Sequence, residues 1–125
     1  SDSSRNHELG LIKDALRIAG VGLWEWDIKT NLVNYDSSWL AMLGYKSGEL
    51  PANLSEWEKR IHPDDKEIVM SVLKSFLAGE TQIYQTDHRL LAKSGNYIWV
   101  RDTAEIVERD ANGSPQFAVG THMNI

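Results

Sequence analysis

Cysteine is absent from all 125 residues. Its absence excludes disulfides, thiolate metal sites, sulfur nucleophiles and cysteine-linked chromophores, and it fits a reducing compartment. No apolar run approaches the ~20 residues that a membrane span needs. The opening Ser1-Asp2-Ser3-Ser4-Arg5-Asn6 lacks the apolar core of a signal peptide and an initiator Met. The chain is therefore expected to be a piece of a longer, cytoplasmic protein. No stretch gathers Lys and Arg into a basic stripe, and the net charge is -5. Nucleic acid and anionic membrane are accordingly not expected as partners. Neither a glycine-rich phosphate loop nor a Ser-His-Asp spacing is present, so an enzyme is not the expected reading.

What is there is an ordinary globular composition, 42% apolar and 25% charged. Disorder and fibrous repeats do not fit it. The length is that of one domain with one real core.

Along the chain, Leu9, Leu11, Ile12, Leu16 and Ile18 predict a helix over 7–19, closed by Gly20, with residues 1–6 loose. Period two then sets in. Trp24, Trp26 and Ile28 share one strand face, and Leu32 to Tyr35 forms the second arm of a hairpin. Asp36-Ser37-Ser38 offers capping side chains to a short helix ending at Gly44, and a second short helix is expected over 54–61. His62-Pro63-Asp64-Asp65 starts a longer helix running to about Ala78, with proline at its first position and carboxylates at the positive end of its dipole. Three strands follow, over 82–92, 97–108 and 116–125, separated by turns at Lys93–Asn96 and Arg109–Ser114. Two hairpin groups separated by helices indicate an α+β domain with one antiparallel sheet.

At this point the sequence resembles the PAS family over nearly all of its length after residue 20. Gly22-Leu23-Trp24-Glu25-Trp26-Asp27 with Thr30 is similar to the family's opening strand and turn. Ser38 to Tyr45 resembles its first short helix and closing Gly-Tyr. Trp57 with Ile61-His62-Pro63-Asp64-Asp65 resembles the entry to its long helix. His88-Arg89-Leu90, Lys93 to Val100, Asp110 to Gly113 and Gly120 resemble its C-terminal PAC part. The resemblance implies a five-stranded antiparallel sheet of order 2-1-5-4-3 with short helices on one face. Residues 1–20 then form a flanking helix and 21–125 the PAS domain. It also implies a small-molecule cavity between sheet and helices, a homodimer, and an output module in the same chain, such as a histidine kinase or a cyclic-dinucleotide enzyme. Family chains end in Asp-Ile-Thr before the next module. Here Asn124-Ile125 takes that place, with Asn in place of Asp.

Candidate residues divide into structural and functional readings. His62, Asp64 and Asp65 read as a helix cap before they read as metal ligands, because no third and fourth ligands accompany them; no metal is expected. Five tryptophans stand at 24, 26, 39, 57 and 99. Each reads first as core or interface packing, with Trp57 the best pocket candidate and Trp99 structural. In the third strand Tyr84, Thr86, His88 and Leu90 share a face, which the resemblance places inward. His88 there must find a partner, whether a side chain, a water or a ligand. Arg89 reads as a surface ion pair of small worth. His122 sits on a strand whose faces the sequence does not distinguish. Asp27 reads as an acceptor of backbone donors in its turn.

The cofactors of such families can be taken singly. Cysteine-linked flavin and coumarate need a Cys. Haem-binding relatives carry a histidine on the long helix, and 65–76 has none. A citrate-type sensor needs a basic pocket. Non-covalent flavin stays open. Two readings remain. One is a ligand-binding sensor, with Met42, Trp57, Tyr84 and His88 as pocket residues. The other is a ligand-free dimerisation and relay module, with Leu9, Ile12 and Leu16 as interface anchors.

Overall fold

The computed structural model describes residues 2–125. In chain order the elements are α1 (Asp2–Ile18), β1 (Val21–Asp27), β2 (Leu32–Tyr35), α2 (Ser37–Leu43), α3 (Leu54–Glu58), α4 (Pro63–Leu77), β3 (Ile83–Leu91), β4 (Tyr97–Arg109) and β5 (Pro115–Asn124). The strands make one antiparallel sheet in the order β2-β1-β5-β4-β3. This is the α+β fold and the strand order that the resemblance implies.

Local chemistry sets the element ends. The Asp27 carboxylate accepts the N–H groups of Lys29 and Thr30, as its place in the turn requires. Asp36 caps α2 by accepting the Trp39 N–H at 2.8 Å, and it also accepts the Leu23 N–H at 2.9 Å. One carboxylate thereby fixes α2 to β1. Gly44 closes α2 at φ 90°, a conformation glycine adopts without strain. His62 caps α4, its Nδ1 accepting the Asp64 N–H at 3.0 Å.

Two elements differ from expectation. Residues 2–6 are not loose, and Ser1 lies outside the described residues: α1 runs from Asp2, an acidic residue at the favourable end of the helix dipole. It buries no residue. The second short helix, α3, stops at Glu58 instead of Ile61. Ile61 leaves it to bridge Leu90, while the His62 N–H donates to the Arg89 carbonyl. Sheet pairing there replaces a last helical turn.

The core lies between the sheet's inner face and α2, α3 and α4. Trp24, Trp26, Trp39 and Trp57 are all buried in it. Trp99 is half-exposed and carries the Arg89 guanidinium 5.0 Å from its ring centroid. The register places Thr86, Asp102, His122 and Gly22 in one row across four strands. Tyr84, Ala104, Gly120 and Trp24 form the next row. Small residues in these rows matter. A Cβ on Gly22 would collide with the Trp39 backbone, and one on Gly120 with the Trp24 ring and the Thr103 carbonyl. Their glycines let α2 approach β1 and let Trp24 lie across β5.

Candidate functional site

Those two rows assemble a buried polar centre. Asp102 on β4 and His122 on β5 are each 2% exposed, and His88 on β3 is fully buried. The Trp24 indole N–H, lying over Gly120, donates to Asp102 Oδ1 at 3.2 Å. The Trp39 indole, on the helix whose backbone Gly22 lets approach, donates to His122 Nδ1 at 3.0 Å. Trp57 on α3 donates to His88 Nε2 at 3.4 Å.

An indole N–H donates and never accepts, so these bonds assign the imidazole tautomers. His122 must carry its proton on Nε2, and His88 must carry its proton on Nδ1. The His88 Nδ1–H then donates to Thr86 Oγ1 at 2.9 Å, and Thr86 pairs with the Tyr84 hydroxyl at 2.8 Å. His122 Nε2 lies 3.3 Å from Asp102 Oδ2 but too far off line for a hydrogen bond, and it is buried without a directed partner. Burial holds His88 down at a pKa of about 4, against an opposing pull from Asp102. Burial, and then the Asp102 charge, push the Tyr84 hydroxyl well above its ordinary range.

Donor atoms of His88, Asp102 and His122 come within 4.8 Å of one another. That spacing looks like a metal set, but the tautomers oppose it. With Trp39 donating to Nδ1, coordination through His122 Nε2 would require an imidazolate. A transition metal would first have to break the Trp39 bond.

Beside this centre lies a cavity of about 30 Å³. Half of its lining residues are Trp, Tyr or Phe, Trp24, Trp26, Trp57 and Tyr84 among them, and Asp102 and His122 also border it. Of the four residues expected at a pocket, Trp57 and Tyr84 line it. His88 sits behind Trp57, joined to the wall through that indole and Thr86. Met42 lies elsewhere, half-buried in a surface depression with Arg17, Gly20 and Asn124. Leu9 and Ile12 are exposed on α1, and Leu16 is half-buried.

Asp102, the centre's acid, is missing from the residues that sequence reasoning picks out. Its signal is present all the same: on β4, Val100, Asp102, Ala104 and Ile106 alternate, so one carboxylate stands on an otherwise apolar face. Arg89 also does more than expected. With Asp65 it makes two side-chain hydrogen bonds at 3.0 and 2.8 Å, and its backbone N–H makes a third at 2.9 Å, tying β3 to the start of α4.

Comparison with known proteins agrees with the architecture. A family model described as "PAS fold" matches residues 32–122. The sensor protein FixL of Bradyrhizobium diazoefficiens is 27% identical over 106 residues, which cover 85% of this chain; the match spans a fifth of that protein's length. A sensory box histidine kinase/response regulator from Burkholderia thailandensis superposes with a TM-score of 0.77 at 29% identity, covering 91% of this chain and 83% of the other. The N-terminal domain of a diguanylate cyclase with PAS/PAC sensor from Marinobacter aquaeolei gives 0.72 at 26% identity, covering 83% and 94%. No helix among the described residues is long and apolar enough to cross a membrane. The strand order, the PAC-type hairpins and a family match over most of the sequence converge: this chain belongs to the PAS family, as a sensory domain.

Proposed function

We propose that this domain is the sensory module of a larger cytoplasmic signalling protein, with the cavity between the sheet and α3–α4 as its ligand site. The observation that carries the reading is a single one. A cavity with an apolar, half-aromatic wall lies against a buried carboxylate and an imidazole N–H without a directed partner. Buried polar atoms are normally satisfied, so a group that supplies the missing bond is favoured there. The cavity's small volume supports a ligand of a few atoms over a flavin, whose ring system needs a pocket on the order of several hundred Å³. The run Pro63–Leu77 offers no histidine to a haem iron.

A ligand acts on the output only through its different affinity for two arrangements of the domain. His122 and Asp102 stand on β5 and β4, and β5 pairs with β1, which follows α1. A change in their hydrogen bonding reaches the strands nearest both ends of the domain. The similar proteins named as histidine kinase and diguanylate cyclase support an output domain of that kind in the same chain.

A second reading, a ligand-free homodimeric relay, is favoured by α1, whose Leu9, Leu11 and Ile12 lie exposed. Native mass spectrometry beside a denatured extract separates the two. A bound small mass on the purified domain supports the sensor. A bare dimer that takes up no added ligand supports the relay.

A further inference from the structure

His122 stands between two groups that its ring does not serve together. Nδ1 accepts the Trp39 indole N–H at 3.0 Å, which places the ring's one proton on Nε2. Nε2 then lies 3.3 Å from Asp102 Oδ2 but off line, and among the described residues it is the buried side-chain donor left without a hydrogen bond. A buried N–H unpaired at the edge of a carboxylate is costly, and a turn of the ring would recover that cost.

Asp102 favours a positive charge at this place. Glu56, the other buried carboxylate, is answered by Arg60 at 3.1 Å and Lys59 at 3.0 Å. No Lys or Arg among the described residues lies within ion-pair distance of Asp102. Trp24 gives it a hydrogen bond without a charge. A carboxylate in that position favours the protonated form of a basic group beside it.

The other groups packed about His122 do not compete for the proton. The His88 ring on β3 is 5.9 Å away, but Trp57 and Thr86 engage both its nitrogens and burial lowers it from 6.5 to about 4. Tyr84, on the same strand, is held protonated by burial and then by the Asp102 charge. Tyr35 of β2 stacks on Trp39 at 4.0 Å; burial holds its hydroxyl protonated too, and that hydroxyl donates to the Asn53 carbonyl. From β1, α2 and α3 the neighbouring rings are the neutral indoles of Trp24, Trp39 and Trp57.

We propose that His122 is a proton switch on the docking of α2, an input separate from any ligand in the cavity. One proton from solvent adds to Nδ1, and the ring becomes a cation with two N–H donors. Nδ1–H then faces the Trp39 indole donor against donor, and that bond is lost. Released from it, the ring turns Nε2–H into line with Asp102 Oδ2 and forms the ion pair that the carboxylate lacks. The exchange undoes the bond that holds the α2 indole on the sheet. α2 borders a surface depression together with Arg17 of α1 and Asn124 of β5, so its release is felt at both ends of the domain.

Imidazole nitrogen-15 and indole N–H spectra of the unaltered chain, recorded from about pH 8 to about pH 5, test this. The Trp39 hydrogen bond is expected to disappear with the same midpoint as protonation of His122 Nδ1. The Trp24 indole should keep its bond, and the amides of Arg17 and Asn124 should move with Trp39. His122→Gln keeps a neutral acceptor for Trp39 and is expected to abolish the response. Asp102→Asn keeps an acceptor for Trp24 without the charge, and the response should then need about tenfold more acid or beyond. A His122 that stays neutral until the domain unfolds, a Trp39 response that follows His88 or persists in His122→Gln, or unmoved amides at Arg17 and Asn124 would each overturn the proposal. Should the variants fail to fold, the unaltered chain decides alone, since unequal midpoints for Trp39 and His122 overturn it. A bound small mass in native spectra, with Trp39 indifferent to pH, rejects the switch and keeps the cavity as a ligand site. A bare chain with pH-linked release of Trp39 keeps the switch and counts against the cavity.

Discussion

The Trp39 indole N–H donates to His122 Nδ1 over 3.0 Å, joining a helix residue to a strand residue 83 positions further along the chain. That bond does two things at once. It docks α2 on the sheet, and it decides which nitrogen of a buried imidazole carries the proton. Nitrogen-15 NMR of the imidazoles is expected to show His122 as the Nε2–H tautomer. In Trp39→Phe the ring stays apolar but the donor is gone, and Nδ1 is left buried without a partner. That loss is expected to cost about 2 kcal/mol in urea unfolding and to release the tautomer preference. An unchanged nitrogen-15 pattern in the variant would show that the bond does not set the tautomer.

Acid should weaken the domain through His88 before its carboxylates titrate. Burial lowers this ring from 6.5 to about 4. Between those values the unfolded chain binds a proton that the folded chain refuses, so stability rises with pH across that window. It is fully present above pH 6.5 and is lost as pH falls toward 4. The whole contribution is on the order of 3 kcal/mol. His88→Gln keeps polar atoms near Trp57 and Thr86 and removes the titration. The slope of unfolding free energy against pH is expected to flatten in this window, and a variant with an unaltered slope would place the titration elsewhere.

Much of this frame is legible in the sequence, and the reasons differ by residue. Period two puts Trp24 with Trp26 on one face and Tyr84 with His88 on another, and for the third strand the family resemblance supplies which face turns inward. The Asp36 and His62 caps are local and depend on a few neighbouring atoms. His122 is different: Thr121, His122, Met123 and Asn124 give no apolar face, and only pairing with Gly22 and Asp102 on two other strands turns it inward. The cavity is less legible still. Its wall joins Trp24 and Trp26 of β1, Trp57 of α3 and Phe76 of α4 to Tyr84 and Asp102 of β3 and β4, and Trp24 reaches its place only because Gly120 has no side chain; no local pattern specifies what a missing Cβ makes room for.

Gly120 accordingly admits no side chain. A methyl group there meets the Trp24 ring and the Thr103 carbonyl, and backbone cannot yield as a flexible side chain can. Gly120→Ala is expected to cost about 3 kcal/mol by overpacking. It should also displace the Trp24 indole from Asp102, seen as a shift of that indole N–H resonance. Gly113 at the β4–β5 turn has open space around its missing Cβ, so Gly113→Asn, a residue that tolerates positive φ, is the contrasting control.

Asp65 and Arg89 form the clamp between α4 and β3. Hydrogen bonds from the Arg89 side chain, then from its backbone, hold the Asp65 carboxyl below its ordinary value against an opposing burial effect. Its stabilising effect is present above the unfolded value of 3.8 and is lost as pH falls below it. The pair is partly exposed, which limits its worth. A double-mutant cycle of Asp65→Asn and Arg89→Gln is expected to give a coupling of about 1 kcal/mol at pH 7, shrinking below pH 3.8. A coupling near zero at pH 7 would reduce the clamp to an ordinary surface contact.

The flanking helix tests what the domain needs in order to fold and what it needs in order to signal. α1 buries no residue, while Leu9 and Ile12 are 50% and 54% exposed. A helix that contributes so little to the core should be separable from it. Deletion of residues 2–18 is expected to change unfolding free energy by less than about 1 kcal/mol. If the exposed apolar residues meet a second copy, sedimentation of the full chain will show a concentration-dependent dimer that the shortened chain lacks. Leu9→Glu with Ile12→Glu should then reproduce that loss without truncation. A shortened chain that loses its cooperative unfolding would instead make α1 part of the fold. One that keeps both stability and dimer would move the interface to the sheet's outer face, where Trp99 and Val119 are exposed.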